Sequence, residues 1–328
     1  MDVFTTTTTH SRRTLAIPAT YPRRAGTVAH ERDELKIALH DYRVHQHRQH
    51  EPITLLFAHG TSFSKDLWDL IIRYLLSDQQ LAGRIKRIVA IDASNHGDSA
   101  VLNAGKLGTN AFWPDNAYDI LTVTQTLGLS LPLVGIGHSF GGGTLAHAAV
   151  ISPGTFSATI FVEPILFIMP EQDGVTASVA LRRKDQWRSL DDVCARFEKS
   201  QGLADWHPEQ RKVYAEKGTS EATGPDGQNK RILKTPKAQE AATYIAAPYP
   251  GILEMLHNSC GQHTFILGGS SKVMSPDQRQ HIGGLMPRST IMINMPDAGH
   301  LIPMTHPLEL ARHLREQLLR FDAPVSKL

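Results

Sequence analysis

Leu133-Val134-Gly135-Ile136-Gly137-His138-Ser139-Phe140-Gly141-Gly142-Gly143 passes from apolar positions into a serine set among glycines. Leu133 to Gly137 predicts a strand, and Gly142 to Ile151 a helix entered through a run of glycines. Between them, Gly137-His138-Ser139-Phe140-Gly141 is a Gly-x-Ser-x-Gly pentapeptide in the strand-turn-helix context that a nucleophilic serine needs. A side chain at either flanking glycine would meet the backbone of the strand or the helix, and the tight turn lifts the hydroxyl into a cavity. The helix behind it aims its first amides at developing negative charge. An inert serine at a glycine-rich helix entry is the bland reading of the pentapeptide taken alone.

Outward from this turn, apolar runs alternate with amphipathic stretches, as strands and helices do in a parallel sheet. Leu35 to Tyr42, Ile53 to Ala58, Ile88 to Asp92 and Ala158 to Val162 read as strands, with helices at Lys65 to Leu76 and Ala117 to Leu127. From Met169 to Tyr244 strand propensity falls and charge density rises. Asp185 to Gln201 and Lys237 to Tyr244 read as helices there, and Gly218 to Asn229 as a flexible loop. The sheet pattern resumes at Thr264 to Gly268 and Thr290 to Met295, and a last helix spans Pro307 to Phe321. The reading is therefore an α/β core in two parts, 1–168 and 249–328, interrupted by a mainly helical cap over 169–248.

A serine hydroxyl is a weak nucleophile at neutral pH and needs a base. His300, in Asp297-Ala298-Gly299-His300, follows the last strand and precedes the last helix, where a loop returns an imidazole to the serine. His306 is its close competitor. The acid is less direct, because the stretch after the penultimate strand is Gly268-Gly269-Ser270-Ser271, which has no carboxylate. Glu163, in Val162-Glu163-Pro164, follows the strand after the nucleophile and keeps the chain order serine, acid, histidine. Asp277 and Asp297 stay open as alternatives, although Ser275-Pro276 marks Asp277 as a carboxylate in the first turn of a helix. The tetrahedral intermediate calls for two backbone amides: Phe140 supplies one, and the loop His59-Gly60-Thr61-Ser62-Phe63 the other, through Thr61 or alternatively Phe63. His59 reads as a histidine that holds this loop, and Asn95-His96-Gly97-Asp98-Ser99 as structural. Arg182, Arg183, Lys184 and Arg188 open the cap and suit either the phosphates of coenzyme A or a solvated helix face.

In 328 residues, 41% are hydrophobic and 20% charged, which suits one globular core with an insertion. A formal charge of +2 gives no case for nucleic acid. Two cysteines, Cys194 and Cys260, exclude a disulfide framework and a thiolate zinc site, and neither a metal nor an organic cofactor is expected. No run approaches the roughly 18 to 20 apolar residues of a membrane span, and the first twenty or so residues lack the apolar stretch of a signal peptide. Ser326-Lys327-Leu328 matches the tripeptide bound by the peroxisomal import receptor, so the expected location is the peroxisomal matrix.

With these features the chain resembles the fungal peroxisomal α/β-hydrolases of secondary metabolism. Besides the pentapeptide, the resemblance runs through Ala29 to Ala38, Val162-Glu163-Pro164, Arg182-Arg183 with Asp185 to Phe197, Pro236 to Tyr244 and Gly299-His300-Leu301. It implies the α/β-hydrolase fold, a mostly parallel sheet with helices on both faces and an inserted, mainly helical cap. It also implies a triad of Ser139, Glu163 and His300 acting on an acyl-CoA thioester, and leaves a homodimer open. Glu163 stands where that group carries aspartate, and the stretch between acid and histidine is shorter here, as a trimmed cap would be. A carboxylesterase or lipase on an uncharged ester is the runner-up, and a silent scaffold that binds an acyl ligand or a partner is the reading from another class.

Overall fold

The computed structural model describes residues 4–45, 52–224, 227–259 and 261–321. The tripeptide Ser326-Lys327-Leu328 lies outside them. The chain opens with strands β1 (Phe4–Thr6), β2 (His10–Pro18), β3 (Lys36–Val44) and β4 (Ile53–Ala58). A 3₁₀ turn at Lys65–Trp68 leads into helices α1 (Asp69–Ser77) and α2 (Gln79–Ala82), then strand β5 (Ile85–Ile91). Next come α3 (Gly97–Leu102), α4 (Trp113–Thr126), β6 (Leu133–His138), α5 (Phe140–Ile151) and β7 (Ala158–Val162). The insertion follows: α6 (Pro170–Arg182), β8 (Gln186–Trp187), α7 (Leu190–Glu198), α8 (Pro208–Lys217), β9 (Thr219–Thr223), β10 (Asn229–Leu233) and α9 (Lys237–Ile245). The core is completed by α10 (Ile252–His257), β11 (Gln262–Gly268), α11 (Pro276–Leu285), β12 (Ile291–Met295), α12 (Ile302–Thr305) and α13 (Pro307–Arg320).

The main sheet has the order β1-β2-β3-β5-β4-β6-β7-β11-β12. From β5 to β12 its neighbours are parallel, whereas β1, β2 and β3 form an antiparallel flank that joins at β5. Parallel strands are covered on both faces, so β4 and β6 are buried at every position, and separate apolar clusters pack on the two sides of the sheet. In such a sheet the loops beyond the carboxyl ends of the central strands form the binding crevice. The ends of β4, β6 and β7 place Thr61, Ser139 and Glu163 there.

The insertion departs from the sequence expectation in two places. Instead of one helix over Asp185 to Gln201, Gln186–Trp187 pairs with β10, and a helix starts only at Leu190, where the Ser189 side chain accepts from the Asp192 amide. Instead of a flexible loop over Gly218 to Asn229, β9 and β10 pair antiparallel in the register Thr219↔Leu233 to Thr223↔Asn229. Thr219 and Leu233, paired at one end of the ladder, are both buried, a tertiary gain that polar composition conceals. The β2 strand is likewise unforeseen, since its residues are mixed in polarity. A third apolar cluster, including Trp187, Val193, Phe197, Trp206 and Tyr214 from the insertion, packs on Phe63, Leu67 and Met304 from the core and seats the insertion over the crevice.

Candidate active site

Ser139 sits between β6 and α5 at φ 53° and ψ −120°, a conformation that side chains seldom adopt. The two flanking glycines make it attainable. A Cβ on Gly137 would lie 2.6 Å from the Gly141 carbonyl oxygen, and one on Gly141 would lie 2.4 Å from that of His59. Both approaches are below the 3.0 Å that real Cβ atoms keep. The turn is further tied by the Ser139 amide donating to the Val162 carbonyl at 3.1 Å.

His300 Nε2 lies 2.9 Å from Ser139 Oγ, and its Nδ1 lies 3.0 Å from Glu163 Oε2. That distance to the nucleophile is within reach for proton transfer. Glu163 is 1% exposed and at φ 44°, held where β7 ends. Its carboxylate also accepts from the Gly268 amide at 2.7 Å and the Ser271 hydroxyl at 2.6 Å, with Arg279 at 3.5 Å. Burial raises the carboxyl's pKa, but the hydrogen bond and charge of His300, with the bonds from Ser271 and Gly268, outweigh that and bring it below the ordinary value. Glu163 is therefore an anion at neutral pH, aimed at the far nitrogen of the base. Ser270 and Ser271, which replace a carboxylate after β11, have become donors to the carbonyl of Pro296 and to Glu163 respectively.

The rival residues lie elsewhere. Asp277 is exposed in the first turn of α11, behind a capping box made by Ser275 and Gln278. Asp297 is exposed, and His306 faces its neighbour Thr305. His138 has no sequence signal of its own, being the variable second residue of the pentapeptide, yet its Nε2 donates to the His300 carbonyl at 2.9 Å and anchors the base's loop. Burial, with the nearby His300, pushes its pKa down to about 3, so it stays neutral. His59 holds the neighbouring loop: Nδ1 donates to the Gly60 carbonyl at 2.8 Å, and Nε2 accepts from the Ala93 amide at 3.0 Å.

That loop presses on the nucleophile, since a Cβ on Gly60 would lie 3.1 Å from Ser139 Cβ. Thr61 lines a cavity of about 130 Å³ together with Ser139, His300, Trp113, Ile165 and Met169. Phe140 opens α5, so its amide has no acceptor within the helix. The Phe63 amide, in contrast, donates to the Gly60 carbonyl at 3.2 Å, which removes it as the alternative donor, and its ring packs against Trp206.

A second cavity of about 630 Å³ lies under the insertion and shares Phe63, Thr176, Tyr244 and Leu301 with the first. Trp187, Phe197, Trp206 and Tyr214 line it. Of the four basic residues singled out, Arg182 and Lys184 line it with exposed side chains, and Arg196, which sequence reasoning passes over, joins them. Arg183 also lines it but points inward, pairing with Glu240 at 2.6 Å and donating to the Tyr214 hydroxyl at 3.2 Å. Arg188 pairs with Asp192, four positions along the chain, outside the cavity. Of the four residues that suit either phosphates or a solvated face, Arg183 is thus committed to a carboxylate and Arg188 lies off this cavity wall. No described helix is long and apolar enough to cross a membrane.

Among known proteins, a Saccharomyces cerevisiae protein named peroxisomal membrane protein LPX1 is 34% identical over 165 residues, 47% of this chain and 43% of that one. A Penicillium brevicompactum protein named type I acyl-CoA thioesterase mpaH is 28% identical over 178 residues, 51% of this chain and 41% of that one. The matched stretches span less than half the length of these relatives. The solved structure of the yeast peroxisomal α/β-hydrolase Lpx1 superposes with a TM-score of 0.84 at 22% identity, covering 98% of this chain and 93% of that one, which is a likeness of fold. The sequence model of the alpha/beta hydrolase family matches residues 55–313, from β4 into α13, a span that contains Ser139, Glu163 and His300. The chain belongs to the α/β-hydrolase family.

Proposed function

We propose that the chain is a serine hydrolase that cleaves an acyl-CoA thioester in the peroxisome through an acyl-enzyme. The observation that carries this reading is the relay Ser139–His300–Glu163, with links of 2.9 and 3.0 Å, at the wall of the cavity of about 130 Å³. Ser139 Oγ attacks the thioester carbonyl carbon as its proton passes to His300 Nε2, and the amides of Thr61 and Phe140 take up the charge on the carbonyl oxygen. Glu163 holds the imidazole with its proton on Nδ1 and stabilises the imidazolium. The C–S bond then breaks and the departing sulfur takes the proton from Nε2. Water, giving its proton to the same nitrogen, attacks the ester on Ser139; the bond from the carbonyl carbon to Ser139 Oγ then breaks, Oγ takes the proton back from Nε2, and the carboxylic acid leaves.

The choice of a coenzyme A ester has two supports. Arg182, Lys184 and Arg196 stand on the larger cavity without a salt bridge among the described residues, in a position to receive phosphates beyond an aromatic wall. The Penicillium relative bears the name of an acyl-CoA thioesterase. Peroxisomal location is supported by the name of the yeast relative, with Ser326-Lys327-Leu328 as the address under test.

The test is thiol release from a panel of acyl-CoA esters, run beside p-nitrophenyl esters and fluorophosphonate labelling, for wild type and Ser139→Ala. Thiol release and labelling that both vanish in the variant are expected. Cleavage of the simple esters alone moves the reading to carboxylesterase, and a wild type that neither turns over nor labels is a scaffold. Import of the tagged chain with and without the last three residues tests the address.

A further inference from the structure

Among the described residues, three non-glycine positions have positive φ: Ser62 at 77°, Ser139 at 53° and Glu163 at 44°. Two are the nucleophile and the acid. The third directly follows Thr61, and no step of the mechanism uses its side chain. Such a conformation persists only where its surroundings hold it. Ser62 is buried, and its hydroxyl donates to Glu240 Oε1 at 2.5 Å while lying 2.9 Å from the Tyr244 hydroxyl. Both partners come from one face of α9, a turn apart.

Helix α9 is in turn fixed to the core on another side. Trp113 Nε1 donates to the Thr243 carbonyl at 3.0 Å, Asn95 Nδ2 to the Thr243 hydroxyl at 2.9 Å, and Gln239 Nε2 to the Gly108 carbonyl at 2.7 Å. Glu240 is buried, and the Arg183 guanidinium lies 2.6 Å from its second oxygen as an ion pair. The loop after β4 is thus gripped by a rigid helix of the insertion at the residue next to the proposed oxyanion donor.

We propose that Glu240 and Tyr244 are positioning residues: they hold Ser62 in the left-handed conformation and so aim the Thr61 amide at the point where the oxyanion forms. Relaxation of Ser62 to negative φ turns the Thr61–Ser62 peptide, and the shifted Thr61 Cα carries with it the preceding Gly60–Thr61 peptide, whose N–H is the Thr61 amide, off that point. An oxyanion donor acts only when it is placed before the charge develops, so the effect falls on kcat and leaves ground-state binding alone. The insertion then does more than cover the site, since it completes the catalytic geometry of the core. This inference rests on the serine hydrolase reading and on Thr61 as the donor.

The experiment compares Ser62→Ala, Ser62→Gly and Ser139→Ala, with circular dichroism to verify folding. Ser62→Ala removes both pins, leaves the Arg183–Glu240 pair intact and keeps a side chain that disfavours positive φ. Its kcat is expected to fall about 10- to 100-fold, a part of the roughly 10²–10³ that deleting an oxyanion donor costs, with KM within about threefold. An alkylboronate that forms a tetrahedral adduct should weaken in parallel, while the product acid binds as before. Ser62→Gly adopts φ 77° without the pins and should retain kcat within about threefold; adding Glu240→Ala should lower kcat in the wild-type background and leave the glycine background unmoved. Wild-type kcat in Ser62→Ala, or equal losses in the alanine and glycine variants, overturns the proposal. With Ser139→Ala inactive, either result overturns the pin alone; an active Ser139→Ala removes the serine hydrolase reading and the pin with it.

Discussion

Replacing Glu163 by glutamine keeps the shape of the acid and changes one atom's chemistry. The carboxylate is surrounded by donors: the Gly268 amide and Arg279 on Oε1, the Ser271 hydroxyl and His300 Nδ1 on Oε2. An amide nitrogen at the first position would face two N–H donors, which cannot accept, so it is driven to the second. There the Ser271 hydroxyl can rotate to accept, but His300 Nδ1 accepts only by giving up its proton. The imidazole then carries its proton on Nε2, facing Ser139 Oγ at 2.9 Å, and cannot take another from it. The buried anion that stabilises the imidazolium is lost as well. Comparable tautomer reversals in triads cost about 10⁴ in kcat, so a loss of roughly 10³–10⁴ is expected, about 4–5.5 kcal/mol. Because Glu163 lines neither cavity, KM should stay within a few-fold. The assay is thiol release at saturating acyl-CoA from pH 5.5 to 9, with near-ultraviolet circular dichroism to verify the fold and Asp297→Asn, expected within twofold of wild type, as companion. A folded Glu163→Gln enzyme within tenfold of wild-type kcat would refute the assignment of the acid, and a large loss in Asp297→Asn would move the role there.

Gly60→Ala should lower kcat and the rate of fluorophosphonate labelling by about 10² or more, because the new Cβ would lie 2.7 Å from His138 Nδ1 and 3.1 Å from Ser139 Cβ and must push the oxyanion loop away. Neutralising Arg182, Lys184 and Arg196 together, each to glutamine, should raise KM for acyl-CoA about tenfold at low salt and leave p-nitrophenyl ester KM unchanged; added salt should shrink the difference. Glu163 also links stability to pH. Its folded pKa lies below the unfolded value of 4.5, so its contribution is fully present above that value and is lost as pH falls through the folded pKa. The gap in urea stability between wild type and Glu163→Gln should therefore be constant near neutrality and narrow below about pH 4.5, and a gap that widens on acidification contradicts the depressed pKa.

The strands that carry the site were legible because burial on both faces leaves almost continuous apolar runs: Ile53–Ala58 and Ala158–Val162 have the bounds that their composition indicates. The pentapeptide marks the elbow because its glycines are required by contacts of 2.4 to 2.6 Å. What stayed hidden depends on partners remote in sequence. The hairpin β9–β10 has a polar composition typical of a loop, and only burial of Thr219 and Leu233 at one end of its ladder favours pairing. Arg183 and Arg182 are adjacent and alike in sequence, yet one meets a carboxylate 57 positions along the chain and the other faces solvent. Charge runs report composition, whereas the direction of each side chain is set by the packing of α6 against α9.

The three strained residues share one physical logic. Ser139 and Glu163 directly follow the ends of β6 and β7, and Ser62 lies in the loop that leaves β4, where each exit delivers one group into the same crevice: β4 an amide, β6 a hydroxyl, β7 a carboxylate. Extended strands diverge by twist, so side chains continuing in the strand conformation would point to alternate faces of the sheet and away from one another. A left-handed residue at each exit reverses the chain direction at once and turns the group inward. Glycine would adopt that conformation without strain, but at two of these exits the chemistry needs a side chain, so the surroundings must hold it. Ser139 is held by close glycines and the Val162 carbonyl, Glu163 by the donors around its carboxylate and by its own amide donating to Ile266, and Ser62 by α9. Only the last depends on the insertion. Changes in the cap should consequently reach the chemistry through Ser62 while leaving the Ser139–His300–Glu163 distances intact, so α9 variants are expected to lower kcat and the rate of fluorophosphonate labelling together while keeping the wild-type shape of the pH–rate profile. A pH–rate profile that changes shape across a set of α9 variants would show that the cap acts on the triad itself.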